Sequence, residues 1–220
     1  MAGLTSSSIG RKYAMALSAM FLLIFLIMHL SVNLLSVISK DAFNSASEFM
    51  GYNPFIQFLM QPILGFAVIF HFAMGFILEI KNNNSRPIKY RMNNRSSNST
   101  WMSRNMLLSG VVVLAFLGLH MYDFWWHEMD YKYVVGSVRD EARYWPELHA
   151  QFGNVGRVIF YVVAFVLLGL HLAHGFQSSF QSIGARHPKY TPMIKAVGTW
   201  YSILIPAGFI LVAVFHYVTQ

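Results

Sequence analysis

The chain has 220 residues, of which 55% are hydrophobic and only 11% charged, about half the ~25% charge content of an ordinary soluble domain. That composition excludes a water-soluble globular protein, and the absence of cysteine excludes disulfides and thiolate-held clusters. The net charge of +7 could serve a nucleic-acid surface, but its concentration in two loops makes it a topology signal instead.

A helix that crosses a bilayer needs about 20 apolar residues at ~1.5 Å each. Five runs meet that length, at about 13–37, 62–80, 105–126, 158–176 and 197–218. They predict an all-α integral membrane bundle of five transmembrane helices, a single transmembrane domain over residues 1–220. The first run follows Arg11 and Lys12, but it is too long for a signal-peptide core and no small-residue cleavage site follows it, so it predicts a retained helix. The loop after the second run carries Lys81, Arg86, Lys89, Arg91, Arg95 and Arg104 without an acid, and the loop after the fourth carries Arg186, Lys189 and Lys195. Short basic loops stay in the cytoplasm. The other two loops hold Asp41 and Glu48, and Glu128, Asp130, Asp140, Glu141 and Glu147, so the N-terminus is expected in the cytoplasm and the C-terminus outside. These two faces are called below the basic end and the acidic end. No internal repeat is evident, and the one low-complexity tract, NNRSSNST at 93–100, reads as a cytoplasmic loop. The stretch 127–156 is long enough for a short interfacial helix.

Four of the five runs contain an interior histidine: His29, His71, His120, and His171 with His174. An ionisable group inside a span is costly, ~2.5 to 3.5 kcal/mol for a full charge on insertion scales, and marks function more often than a loop residue does. A single membrane histidine is often just a neutral hydrogen-bonded imidazole; four spans with one each form a pattern. His29 lies 17 residues beyond Lys12 and His120 lies 16 beyond Arg104, which puts both about 25 Å from the basic end. His71 is 10 residues before Lys81 and His171 is 10 before Gln181, about 15 Å from that end. The four therefore sort into two pairs at two depths, each joining two parallel helices. That arrangement suits two stacked haems, each iron held by two neutral imidazoles and left without an open position, which means electron transfer rather than oxygen chemistry.

HFAMG sets Gly75 one turn after His71, and HLAHG sets Gly175 one turn after His171. A residue without a side chain on the ligand's face lets a flat macrocycle approach the backbone. Asn33 and Phe124 hold the equivalent places after His29 and His120, so the glycine rule covers the inner pair alone. Depth and the glycine select His171 over its neighbour His174 as the ligand.

The runs SIGRKYAMALSAMFLLIFLIMHLSVNLL, HFAMGFILEIKNNNSRPIKYR, FLGLHMYDFW and LHLAHGFQSSFQSIG, in this order, resemble the single-chain, five-helix, two-haem cytochrome b subunit of succinate dehydrogenase and fumarate reductase. The resemblance implies His29 and His120 as ligands of the outer haem b and His71 and His171 as ligands of the inner one. It implies a bacterial cytoplasmic-membrane anchor for a flavoprotein with FAD and an iron–sulfur protein, passing electrons between iron–sulfur clusters and a membrane quinone, for this type menaquinone. Some members carry a glutamate two residues before the fourth-span ligand, linked to transmembrane proton movement; here the position is Gly169, which argues against such a pathway.

A quinone site needs a proton-handling group beside a haem, and Glu48 is the candidate, although a solvated loop glutamate is the plainer reading. Glu79 reads as an interfacial acid. His174, Arg11, Lys12 and Arg104 are candidate partners for haem propionates or other second contacts at the basic end, and Arg139 and Arg143 at the acidic end. His127, His149 and His187 read as solvated loop residues, and His216 as structural or interfacial. Two other functions fit the same histidines: the di-haem anchor of another respiratory enzyme, such as a formate dehydrogenase or hydrogenase, and a haem-free transporter that relays protons.

Overall fold

The computed structural model describes residues 7–84 and 105–220. Among the described residues every regular element is helical. Ser7 caps the first helix by accepting from the Gly10 amide at 2.9 Å, and α1 runs Ser8–Ile38. At Ser39 the backbone turns extended and the same residue caps α2, Lys40–Tyr52. A π-helical turn, Ile56–Met60, leads into α3, Gln61–Asn84. The next helix, α4, is Met106–His120, and it continues through wider turns at Met121–Trp126 and Asp130–Val134. A short α5, Tyr144–Gln151, precedes α6, Val155–Ser182, and α7, Thr191–Val218.

Five of these helices are long and apolar enough to cross a membrane: Ser8–Ile38, Ile56–Asn82, Met106–Val134, Val155–Ser182 and Thr191–Val218. Each outruns its apolar stretch, because a helix continues into the polar interface wherever its backbone bonds are satisfied, whereas a hydropathy run stops at the first charges. The third goes furthest, eight residues past Trp126 to Val134. The loop expected after the first span is largely α2, whose face buries Phe43, Asn44 and Glu48.

Helix α1 packs on α3, α6 and α7, while α4 packs on α3 and α6. The four helices α1, α3, α4 and α6 thus form a ring in which α1 faces α4, and α3 faces α6, across the two diagonals. Helix α7 seals the seam between α1 and α6. Its fit is close: Pro206 lacks the N–H that would bond the Ser202 carbonyl, and Gly169 of α6 sits against this place, where an added Cβ would lie 3.0 Å from the Ser202 oxygen and 3.3 Å from Pro206 Cγ. Any side chain at 169 would press its Cβ on this backbone. The core runs down the middle through Leu23, Leu30, Phe116, Tyr161, Phe165, Leu172 and Phe209, while Ile24, Phe66, Ile69, Leu108 and Trp200 point outward, as in a bundle whose solvent is lipid.

The acidic end is closed by α2 and α5. The Trp145 indole donates to the Ser36 carbonyl at 2.8 Å, its amide donates to Asn44 Oδ1 at 2.7 Å, and the Lys40 ammonium lies 3.8 Å above its ring. Arg143, only 7% exposed, bonds Glu128 and Glu147.

Candidate functional site: two histidine pairs

Across one diagonal, the rings of His29 on α1 and His120 on α4 stand with centroids 5.6 Å apart and planes at 81°. Across the other, His71 on α3 and His171 on α6 are 6.4 Å apart at 69°. Two metal–imidazole nitrogen bonds of about 2 Å each, plus half a ring on either side, set such centroids roughly 6 Å apart, and both separations are of that order. Among the described residues no three His, Cys, Asp or Glu side chains converge on one point. The histidines meet in twos, a donor set complete for an iron whose other four ligands belong to a macrocycle.

The surroundings of the two pairs differ. Around His29 and His120 the neighbours are aromatic: Phe25 stacks on His29 at 5.3 Å, Phe209 tilts against it at 5.6 Å, and Phe116 and Phe124 flank His120 at 5.6 and 5.2 Å. His120 Nδ1 is buried without a hydrogen-bond partner, and His29 Nδ1 has only the Asn33 amide, at 3.5 Å. At the other pair each Nδ1 faces a serine hydroxyl at 3.2 Å, Ser18 of α1 for His71 and Ser109 of α4 for His171. An added Cβ at Gly75 would meet only the Met15 methyl at 3.8 Å, and one at Gly175 only the Met106 methyl at 3.5 Å. Both glycine faces therefore look onto flexible side-chain tips, and a flat group has room to approach. His171 is the ring brought against His71; His174 is half-buried one turn nearer the basic end.

Several other expectations change. Glu48 is not a solvated loop residue: α2 buries it to 8% exposure and it accepts from Arg139. Arg139 and Arg143 are engaged by the chain's own carboxylates, which leaves neither as an idle partner for a propionate. The hydrogen bond to Glu48 raises the Arg139 pKa. Burial works against the Arg143 charge, but the bond and charge of Glu128, helped by Glu147, hold its pKa above the ordinary arginine value. His149 is not a free loop residue either. It stacks on Trp145 at 4.6 Å and meets His216 Nδ1 at 3.2 Å, while His216, wholly buried, meets the Ser36 hydroxyl at 2.9 Å. His127 and His187 are exposed, as expected. Lys12 is exposed and Arg11 half-buried at the start of α1. Arg104, with the basic loop of 85–104, lies outside the described residues.

One ionisable residue escaped the sequence reading. Asp123, one turn beyond His120, is 7% exposed, accepts from the Tyr161 hydroxyl at 2.7 Å, and has Arg157 Nη2 3.3 Å from its second oxygen, outside hydrogen-bond geometry. It borders a polar cavity of about 300 Å3 with Trp126, His127 and Arg157. The signal was an acid in the third run, three residues from a histidine.

Fold and site together define a protein with five helices long and apolar enough to cross a membrane, four of which bring histidines together in two pairs. Among curated proteins the chain is 24% identical over 184 residues, 83% of this chain and 81% of the other, to the succinate dehydrogenase cytochrome b558 subunit of Bacillus subtilis (strain 168). That relative is of the family the sequence resembles, the cytochrome b membrane subunits of succinate dehydrogenase. No family model matches the chain, and no solved structure does.

Proposed function

We propose that this chain is the di-haem b membrane anchor of a succinate:quinone oxidoreductase in a bacterial cytoplasmic membrane, with its basic end in the cytoplasm. The observation that carries this reading is the pairing of four histidines from four helices across the two diagonals of the ring at two depths. His29 and His120 would hold the outer haem, and His71 and His171 the inner one. Arg11, Lys12 and His174 are the described candidates for propionate contact. When bound, the haems supply one-electron transfer between a partner's iron–sulfur clusters and a membrane quinone, with menaquinone the expected one. The flavoprotein with FAD and the iron–sulfur subunit would dock on the cytoplasmic face.

The chain's own residues set the conditions for this chemistry. The aromatic shell around the outer pair keeps water from it. Asp123, held by Tyr161 and bordering a polar cavity one turn from His120, is better placed than Glu48 to exchange protons with a quinone, since Arg139 already occupies Glu48.

The test is the purified complex. A ratio of two b-type haems per chain, with co-purifying subunits that reduce a menaquinone analogue with succinate, is the expected result. Absence of a reduced-minus-oxidised b-type band overturns the reading. Two haems with a partner that oxidises formate or hydrogen instead would assign the anchor to another respiratory enzyme. Asp123→Asn is expected to lower succinate:quinone activity at least tenfold while both haems remain; unchanged turnover removes Asp123 from proton exchange.

A further inference from the structure

The two serines that face the inner pair belong to a repeat that the sequence alone did not disclose. Met15-Ala16-Leu17-Ser18 on α1 and Met106-Leu107-Leu108-Ser109 on α4 place a methionine and a serine three residues apart, and each serine precedes the histidine of its own helix by eleven residues. In both copies the serine faces the Nδ1 of a histidine on a different helix, and the methionine tip covers the glycine one turn beyond that histidine. The ring of helices is thus built twice over, α1 with α3 and α4 with α6.

A serine hydroxyl that gives its hydrogen to its own helix can only accept from the imidazole. A hydroxyl has one hydrogen. Ser18 Oγ donates it to the Met15 carbonyl at 2.8 Å, and Ser109 Oγ donates it to the Met106 carbonyl at 2.9 Å. Towards the imidazole, 3.2 Å away in each case, the oxygen is left only as an acceptor. In that arrangement the ring proton of His71 and of His171 sits on Nδ1, and Nε2 is left with its lone pair exposed. An acceptor on Nδ1–H also draws that proton away and makes the ring a stronger donor through Nε2. The outer pair lacks this device, since His120 Nδ1 has no hydrogen-bond partner and Asn33 offers His29 a donor rather than an acceptor.

We propose that Ser18 and Ser109 are positioning residues that lock both inner histidines in the metal-binding tautomer and lower the reduction potential of the inner haem alone. The inference rests on the reading of His71 and His171 as haem ligands. A more basic ligand favours the ferric state, so removing the acceptor raises the midpoint.

The experiment is a spectro-electrochemical titration, with low-temperature EPR of the ferric haems, of the purified complex carrying Ser18→Ala, Ser109→Ala and the double substitution. The expected result is two haems retained, an upward shift of one midpoint in each single variant, a larger shift in the double, an altered low-spin EPR signal for the same haem, and no movement of the other. Ser18→Thr and Ser109→Thr, which keep the hydroxyl, should restore the wild-type midpoint. Loss of the inner haem in the alanine variants that threonine restores also supports the proposal. It is overturned by two retained haems with unmoved midpoints, by equal shifts of both haems, or by a loss that threonine does not restore. Absence of haem in the wild-type chain would instead overturn the reading beneath it.

Discussion

The two histidine pairs lie in one bundle and have nearly the same ring separations, yet they are held by opposite means. The acidic-end pair is gripped by shape: Phe25, Phe116, Phe124 and Phe209 press on its rings, and its Nδ1 atoms have poor partners or none. The basic-end pair is gripped by hydrogen bonds to Ser18 and Ser109 and is bordered by glycines and methionine tips. Aromatic packing is strong but indifferent to which ring nitrogen carries the proton, whereas a hydroxyl acceptor is weak, about 1 kcal/mol net, and decides it. One site therefore relies on burial, and the other on tautomer.

The largest expected effect is loss of cofactor. His29→Ala and His120→Ala should each remove the same haem, and His71→Ala and His171→Ala the other, while His174→Ala keeps both. Haem-to-protein ratios and difference spectra check this, and a His171→Ala complex with two intact haems would break the pairing. Next is the cap above the acidic-end pair. Arg143→Ala takes one of two cations from Glu128, which keeps Lys132, and the arginine from the partly exposed Glu147, a loss of about 2 kcal/mol, and thermal melts in detergent should show the acidic-end haem released first. Simultaneous release of both haems would deny the two pairs their separate supports.

A smaller effect is expected beside the basic-end pair. Gly169→Ala sets a methyl 3.0 Å from the Ser202 carbonyl oxygen, so α6 must shift on α7 at a cost of about 1 kcal/mol. The haem next to His171 should respond in its midpoint and the other should not. The smallest effect lies at high pH. Burial, reinforced by the charge of Glu128, raises the Tyr144 pKa above its ordinary value. The stability from neutral Tyr144 is complete below about pH 10, the phenol's unfolded value, and is lost as the pH climbs through the folded one. Tyr144→Phe should flatten the alkaline limb of a stability profile, and an unchanged limb would place the titrating group elsewhere.

These regions were unequally legible in the sequence. The five spans could be read because lipid demands long apolar runs, and the two depths because a helix advances a fixed distance per residue. The partners at the acidic end could not: Glu48 and Arg139, or Trp145 and Ser36, are about a hundred residues apart, and nothing local in a polar stretch says which distant side chain will neutralise it. Helix α2 was hidden for the same reason, whereas room for a short helix in 127–156, where α5 lies, was legible. Asp123 was visible but lay inside a run scored for its hydropathy. The repeat of Met15 and Ser18 in Met106 and Ser109 was also visible, yet two residues in an apolar helix are a weak signal until a histidine stands opposite each.

The eleven residues that separate Ser18 from His29, and Ser109 from His120, make α1 and α4 gauge rods. Each rod touches one site with a hydroxyl and the other with an imidazole, about 16 Å along the same rigid helix. On the proposed function, the distance an electron would cross is set by helical rise and not by lipid thickness or loop length. A membrane that stretches or thins can tilt the bundle, but the spacing between its two histidine pairs travels with it unchanged.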